Sequence, residues 1–164
     1  RQMGIRCSGN LDIMQLLIAG KADVNASFRS THTALSMVAG TSEIEAAKLL
    51  IKHGADTNSL MGRESSIAHE AAFHGRPEML KFLLSQNKAL TNLRDNQGGT
   101  ILHYAMNKMR AGDEEHNRSF LSCIKIALKN GANPELETTW NDSGSAIKMA
   151  ENRQLGQVLA LIKK

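Results

Sequence analysis

Residues 49–58 read Leu49-Leu50-Ile51-Lys52-His53-Gly54-Ala55-Asp56-Thr57-Asn58. This is the apolar end of a helix, followed by a glycine that stops it and by a polar turn. Two further segments keep the same order, at residues 16–25 and 126–135, and residues 82–92 keep it in a degraded form without the glycine. Asp23, Asp56 and Leu90 hold the same place in successive segments and are almost evenly spaced. Their spacing, about 33 residues, indicates a repeat architecture, in which each unit packs on its neighbours rather than around one central core.

The composition is that of a folded chain with a mixed surface. The 164 residues are 41% hydrophobic and 4% aromatic, and the formal net charge is +4. Basic and acidic residues are interspersed, without a run of five like charges. This argues against nucleic acid as the partner, because phosphate recognition concentrates Lys and Arg on one patch. No apolar run reaches about 18 residues, which argues against membrane insertion.

The two cysteines, Cys7 and Cys123, match no metal-ligand spacing. Two widely separated cysteines are typical of a reducing compartment, where both behave as small buried hydrophobes. We therefore expect a cytoplasmic protein. The chain begins with Arg1 and starts inside a unit, which predicts that it is a fragment of a longer protein.

Hydroxyl residues mark the start of the first helix in each unit, because they accept backbone N–H groups that a helix end leaves unpaired. They are Thr33, Ser66, Thr100 and Ser145. A second helix is predicted over 43–53, capped by Ser42, with Glu45 completing a capping box. Gly54 then ends this helix in the left-handed conformation. Pro77 is predicted at the first position of a later helix, where its missing N–H costs nothing.

One departure from the period is an insertion around residues 106–117. The segment from Thr100 to the next glycine stop, Gly131, is much longer than the matching segment from Thr33 to Gly54. We expect the first helix to run on to Met109 or Arg110, a charged loop to follow, and the second helix to resume near Arg118. The insertion is either a second contact surface or a tolerated loop, since loop lengthening costs little.

The second departure is a longer turn in the last unit. The interval from Gly131 to Ser145 exceeds the matching interval from Gly54 to Ser66. The extra residues lie in a stretch that holds the only tryptophan, Trp140. We expect whatever distinguishes this chain from a regular array to lie at these two departures.

These units resemble ankyrin repeats, each of which has a turn, two antiparallel helices and a β-hairpin finger. The best match is Asp95 with Gly98-Gly99-Thr100-Ile101-Leu102-His103-Tyr104-Ala105, against the family pattern D-x-x-G-x-T-P-L-H-x-A. Residues 54–58 keep the family's G-A-D-x-N ending, although the family proline is absent from all four units. The resemblance implies an all-α solenoid of about 4.5 repeats. The implied repeats are 1–27 (partial), 28–60, 61–94, 95–139 with the insertion at 106–117, and a C-terminal cap at 140–164.

The resemblance implies a non-catalytic, monomeric protein–protein interaction module whose partner is a protein, with no cofactor and no nucleic acid. In this family, the fingertips and the exposed side of the first helices line a concave groove. The positions carried over to this sequence are Arg29, His32, Met37, Arg63, Glu70, Phe73, His74, Asn96, Gln97, Tyr104, Asn107, Lys108, Trp140, Asn141 and Asp142.

Three aromatic residues stand out within that set, Phe73, Tyr104 and Trp140. Large aromatic side chains are enriched at binding hot spots, because they bury much area with few rotors to freeze. The alternative for each is packing against the adjacent repeat. The family also implies a structural role for His69 and His103, which would tie a turn to neighbouring backbone.

No catalytic or metal-binding constellation is found. His69 and His74 are five residues apart, about 140° around a helix axis, whereas two ligands on one helix face are four apart. Gly98-Gly99 is a turn, since no phosphate-loop pattern follows it. Neither a G-x-S-x-G element nor a Cys–His pair at a suggestive spacing occurs.

Other interpretations stay open. The array is alternatively a substrate-recruiting or autoinhibitory domain of a larger multidomain enzyme. Its degenerate repeats also resemble ankyrin effectors that intracellular bacteria secrete, in which case the location would be host cell cytosol. The segment from Leu17 to Asp23-Val24-Asn25 is similar to the pattern modified by the asparaginyl hydroxylase of ankyrin repeats, which makes Asn25 a candidate hydroxylation site.

Overall fold

The computed structural model describes residues 11–28, 31–140 and 144–163. The α-helices of this part are α1 (Leu11–Ala19), α2 (Ala34–Ala39), α3 (Ile44–Lys52), α4 (Ile67–Phe73), α5 (Pro77–Gln86), α6 (Ile101–Asn107), α7 (Glu114–Lys129), α8 (Ala146–Asn152) and α9 (Gly156–Ile162). Two short antiparallel strands, β1 (Glu137–Thr138) and β2 (Gly144–Ser145), pair before α8. None of the described helices is long and apolar enough to cross a membrane.

The helices stack in two layers. α2, α4, α6 and α8 form an inner layer, in which each contacts the next, and α3, α5, α7 and α9 form an outer layer behind them. Alanines on the inner helices let the backbones approach closely: Ala68, Ala71 and Ala72 of α4 are fully buried. Leucine and isoleucine from both layers complete one continuous core. The expected all-α solenoid is therefore present.

The predicted helix starts agree with the structure. All four hydroxyl residues named above occupy N-cap positions, and Thr33 Oγ1 accepts the backbone N–H of Ser36. Pro77 is at the start of α5. Gly54 (φ 89°) and Gly131 (φ 88°) both stop a second helix in the left-handed region, which an L-residue with a Cβ enters only at a cost.

The prediction that Ser42 caps the next helix was wrong. α3 begins at Ile44 after Glu43, without a side-chain cap. The Thr41 hydroxyl occupies that place instead: it donates to Val38 O (2.7 Å) and accepts the N–H of Glu43 (3.1 Å). One hydroxyl thus closes α2 and opens the turn into α3.

The predicted course of the insertion was also wrong. α6 ends at Asn107, and α7 begins at Glu114, well before the expected Arg118. Asp113 caps α7 by accepting the N–H of His116 (3.0 Å). Acidic residues in a first turn favour helix, because they face the positive end of the helix dipole. Much of the insertion therefore lengthens α7 to 16 residues instead of forming a loop.

Four fingers project at the N-terminal ends of the inner helices. Among the described residues, we define them as finger 1 (28 and 31–32), finger 2 (61–65), finger 3 (95–99) and finger 4 (137–140 and 144–145). The first three close in the same way, by a bond from the first N–H to the last carbonyl: Phe28 to His32 (2.7 Å), Met61 to Ser65 (2.8 Å) and Asp95 to Gly99 (2.9 Å). Finger 4 carries the β1–β2 pair.

Candidate functional site

Fingers 2, 3 and 4 are joined through their backbones. The N–H of Asn96 donates to Arg63 O (2.9 Å), and the N–H of Thr139 donates to Gln97 O (2.9 Å). The guanidinium of Arg94 adds a bond to Glu137 O (2.7 Å). The three fingers therefore form one row with fixed spacing, and the side chains of Arg63, Asn96 and Gln97 remain exposed along it.

Two buried histidines attach the fingers to the helices. The N–H of Ser66 donates to Nδ1 of His69 (3.0 Å), and Nε2 of His69 bonds Gly99 O in finger 3 (3.1 Å). His103 repeats this with Thr100 (3.2 Å) and with Gly144 O in finger 4 (3.2 Å). Because Nδ1 accepts, the proton lies on Nε2, which donates to the carbonyl.

Both histidines are neutral at ordinary pH. Burial lowers the pKa of His69 to about 4, because the charged ring would lose its hydration. Burial lowers the pKa of His103 as well. The structural role implied for these residues is thus present in the geometry, and neither ring is available as an acid, a base or a metal ligand.

Asp95 organises finger 3 from within. Its Oδ1 accepts the N–H of Gly99 (2.6 Å) and the N–H of Gln97 (3.0 Å). Its Oδ2 accepts the hydroxyl of Tyr104 (3.0 Å). Burial, together with this carboxylate, raises the pKa of Tyr104 well above its usual value, so that the phenol stays protonated and keeps donating.

A row of aromatic rings crosses the inner helices from their C-terminal ends to the fingers. Phe73 of α4 lies 6.3 Å from Tyr104 of α6, edge to face, and Tyr104 lies 4.6 Å from Trp140 of finger 4. A cation lies over each end: the ammonium of Lys108 is 4.8 Å from the Phe73 ring centre, and the guanidinium of Arg63 is 5.9 Å from the Trp140 ring centre. We call these five residues the aromatic row.

The two largest rings of this row are interior. Tyr104 and Trp140 are each 8% exposed. A Cβ on Gly99 would stand 2.9 Å from the Trp140 ring, so the indole lies directly on finger 3. Their geometry matches packing between repeats, the alternative to direct partner contact. Phe73 is half-buried and keeps part of its ring accessible.

Most of the other predicted groove positions are on the surface. Glu70 is half-buried and is bonded to His74 (3.0 Å). Arg29, Asn141 and Asp142 lie outside the described residues. The exposed positions are His32, Met37, Arg63, His74, Asn96, Gln97, Asn107 and Lys108.

Two structural features were missed by the reasoning from sequence. Asp95 was identified only as a position of the family motif, and its bond to Tyr104 (3.0 Å) was not predicted. Arg63 (φ 65°) and Glu64 (φ 58°) both adopt the left-handed conformation. Arginine and glutamate rarely do so, and their presence did not predict it. Gly98 of finger 3 occupies the position that corresponds to Glu64. A glycine at that position in one finger indicated a positive φ at the same position in the other.

The insertion is held against the last repeat. The side chain of Asn117 bonds both the N–H (2.9 Å) and the carbonyl (2.5 Å) of Arg110. Arg153, at the end of α8, donates to the carbonyls of Met106 and Met109. The connection between α6 and α7 is therefore ordered by specific bonds, and a shallow pocket of about 200 Å³ lies between it and the turn before α9.

The loops that follow the second helices are joined by asparagine side chains. Asn25 donates to Gly54 O (2.9 Å) and accepts the N–H of Asp56 (2.8 Å). Asn92 makes the same pair of bonds with Gly131 O (2.9 Å) and with the N–H of Asn133 (2.7 Å). The candidate hydroxylation site thus holds two repeats together.

The described residues include neither a metal-binding cluster nor a reactive cysteine. Within residues 11–28, 31–140 and 144–163, no group of three His, Cys, Asp or Glu side chains is placed to hold a metal ion. Cys123 is fully buried, and burial raises the pKa of its thiol to about 12. Such a thiol is unreactive, since the thiolate is the nucleophile.

Stacked helix pairs joined by bonded fingers define a helical repeat protein of the solenoid class. A family model described as ankyrin repeats in many copies matches residues 50–105. The chain belongs to the ankyrin-repeat family. Members are generally protein-interaction modules and are typically non-catalytic.

Several curated proteins are similar to this chain. The E3 ubiquitin-protein ligase hecd-1 of Caenorhabditis elegans is 29% identical over 83% of the chain and 5% of its own length. The ankyrin repeat and KH domain-containing protein mask-1 of the same organism is 25% identical over 95% of the chain and 5% of its own length. The putative ankyrin repeat protein L86 of Acanthamoeba polyphaga mimivirus is 28% identical over 79% and 31%. The chain thus spans about a twentieth of the first two and under a third of the last.

Proposed function

We propose that this array binds a protein partner through the concave surface formed by fingers 2–4 and the exposed side of α2, α4 and α6. The observation that carries the proposal is the joined row of fingers. Backbone bonds fix Arg63, Asn96 and Gln97 relative to one another, while their side chains remain exposed. A backbone that is already fixed loses little conformational freedom on binding.

The aromatic row supports the same surface from beneath. Tyr104 and Trp140 are packed between repeats, so they act by holding the fingers and α6 in place. Direct contacts then fall to Phe73, to Met37, which is 39% exposed, and to the polar side chains around them. The proposed groove is unchanged, but Tyr104 and Trp140 support it and do not contact the partner directly.

The test is a selection of random peptides displayed on phage against the whole chain. Peptides are kept when they bind wild type and lose binding to the exposed-groove variant H74A/N107A/K108A. The matched control is K52A/K81A/K125A, which changes exposed residues of the outer helices and should retain these peptides. Failure to recover any peptide with this preference would refute the proposed groove.

A second candidate function is supported by one of the relatives. The match to an E3 ubiquitin-protein ligase makes a recruiting or autoinhibitory role inside a larger enzyme the alternative. Deleting the array from such an enzyme should lower turnover of a recruited protein but not of a generic substrate. An autoinhibitory role requires the opposite result, a rise in generic activity.

Modification of Asn25 is a further proposal. Its side chain bonds Gly54 and Asp56 in the next repeat, so hydroxylation would act on a residue that joins two repeats. Incubation with the asparaginyl hydroxylase and intact-mass analysis should show one added oxygen, absent from the N25A variant. A cytoplasmic location, a monomeric state and an origin among secreted effectors stay predictions.

A further inference from the structure

We propose that the groove selects an acidic segment of its partner, whose carboxylates bind Lys108 and Arg63 at the two ends of the aromatic row. The proposal rests on the function proposed above and specifies the chemistry of the partner. A carboxylate-bearing peptide is the occupant, and the reasons lie in the charges and the backbone around these two cations.

Both cations lack an acidic partner in the part of the chain that the structure describes. The ion pairs there are Glu45–Lys48, Glu70–His74, Arg110–Asp113 and Glu151–Lys163. Lys108 and Arg63 instead lie over rings, at 4.8 Å and 5.9 Å from the ring centres. A cation above a ring face keeps its outward N–H groups free to bind an anion.

The described carboxylates of the groove form no ion pair with Lys108 or Arg63. Glu70 is bonded to His74 (3.0 Å) and is thus engaged on α4. Asp95 is buried, with its oxygens taken by finger 3 and Tyr104. Glu64 is exposed next to Arg63, and it is the one described carboxylate of finger 2 that an incoming anion would meet.

The backbone of finger 2 gives an independent reason. Arg63 (φ 65°) and Glu64 (φ 58°) both occupy the region that glycine prefers. The turn keeps an arginine at a strained position, where its guanidinium reaches the Trp140 ring. Strain of this kind is retained where the side chain serves a purpose, and a glycine would remove the cation.

The charge pattern favours a peptide over a nucleic acid. A phosphate backbone carries closely spaced charges and is bound by contiguous Lys and Arg side chains. Here two cations are separated by the rings of Phe73, Tyr104 and Trp140, with Glu64 and Glu70 nearby. Spaced acidic side chains, with apolar side chains between them to pack on Phe73 and Met37, match this surface.

The first readout is the composition of the peptides from the phage selection. Groove-dependent peptides selected with wild type should be enriched in Asp and Glu, and the R63Q/K108Q variant should lose that enrichment. Groove-dependent peptides without acidic enrichment would overturn this inference alone. The absence of any groove-dependent peptide would overturn the proposed function and this inference with it.

The second readout is fluorescence anisotropy with two labelled peptides of equal length, one alternating Glu with Ala or Leu and the other carrying Gln in place of Glu. R63Q/K108Q should weaken binding of the Glu peptide about tenfold, which is the size expected for two exposed charge pairs. K125Q/K129Q makes the same charge change on α7 and should weaken it less than about twofold. E64Q should strengthen it, because it removes the neighbouring negative charge.

Three outcomes of the binding measurement would contradict the proposal. Equal weakening by both double variants would mean general attraction to a basic protein. Equal affinity for the Glu and Gln peptides would remove the role of the carboxylates. Tighter binding of a short oligothymidylate that R63Q/K108Q abolishes would assign the surface to nucleic acid. R63K keeps the charge and should bind within about threefold of wild type, since an exposed charge pair depends mainly on the charge; this separates loss of charge from loss of fold.

Discussion

The indole ring of Trp140 lies 4.6 Å from the phenol ring of Tyr104, although one belongs to finger 4 and the other to α6. The backbone of finger 3 lies against the indole, where Gly99 leaves room for the ring. The longer turn of the last unit therefore folds back across the preceding repeat. The Tyr104 hydroxyl is also bonded to Asp95 (3.0 Å). Ring packing and hydrogen bonding together therefore hold α6, finger 3 and finger 4 in place.

Truncation of Trp140 should destabilise the array. W140A removes a side chain that is only 8% exposed, and we expect a loss of about 3–4 kcal/mol in the free energy of unfolding. W140F should stay within about 1 kcal/mol of wild type, because it also removes an indole N–H that has no acceptor among the described residues. Urea unfolding followed by circular dichroism measures both. A cost for W140A as small as that of W140F would contradict the buried position.

Acidification should weaken the protein through His69. Its pKa in the folded state, about 4, is below the ordinary value of 6.5, so the unfolded chain takes up the proton first. Stability from the neutral ring is fully present above pH 6.5 and is lost as the pH falls towards 4. The loss is on the order of 3 kcal/mol from a shift of this size.

The control for this pH dependence is H69Q. The variant should be less stable at neutral pH, because the bond to Gly99 is weakened, but its stability should change less between pH 6.5 and 4. The measurement is urea unfolding at several pH values. Parallel pH profiles for wild type and H69Q would assign the acid sensitivity to other groups.

A histidine at position 36 should strengthen the link between α2 and finger 2. Ser36 occupies the position that His69 and His103 hold in later repeats, and its hydroxyl stays within its own turn, bonded to Thr33. S36H would place Nε2 towards Ser65 O, the counterpart of Gly99 O. We expect a gain of about 1 kcal/mol for the added bond. S36A, which loses the capping bond, should instead cost about 1 kcal/mol, and a destabilised S36H would show that finger 2 leaves no room for the ring.

Glycine at position 64 should stabilise the protein. Glu64 has a φ of 58°, and a left-handed conformation costs an L-residue about 1–2 kcal/mol. After the greater flexibility of glycine in the unfolded chain is allowed for, E64G should gain about 0.5–1 kcal/mol. S59G, at a residue without positive φ, is the control and should be destabilising. Thermal unfolding of both variants decides between relief of strain and a general effect of glycine.

The candidate site was only partly predictable. The exposed positions, such as Met37 and Asn96, follow from the repeat period, because the register of a unit fixes which residues reach the groove. The burial of Tyr104 and Trp140 did not follow, because it depends on Gly99, on finger 4 and on a turn that is longer than the matching turn of the earlier unit. Whether any of these positions contacts a partner stays a prediction.

The repeat frame follows from the amino-acid sequence alone. Its signals are local: capping hydroxyls such as Thr33, glycine stops such as Gly54, and the regular interval between units. Each can be recognised from residues that are close together in the chain. How the repeats pack on one another depends on contacts that form only in the folded protein. The Asp95–Tyr104–Trp140 contact and the extension of α7 through the insertion depend on partners from neighbouring repeats. Local periodicity carries no information about such contacts, since packing across repeats decides them.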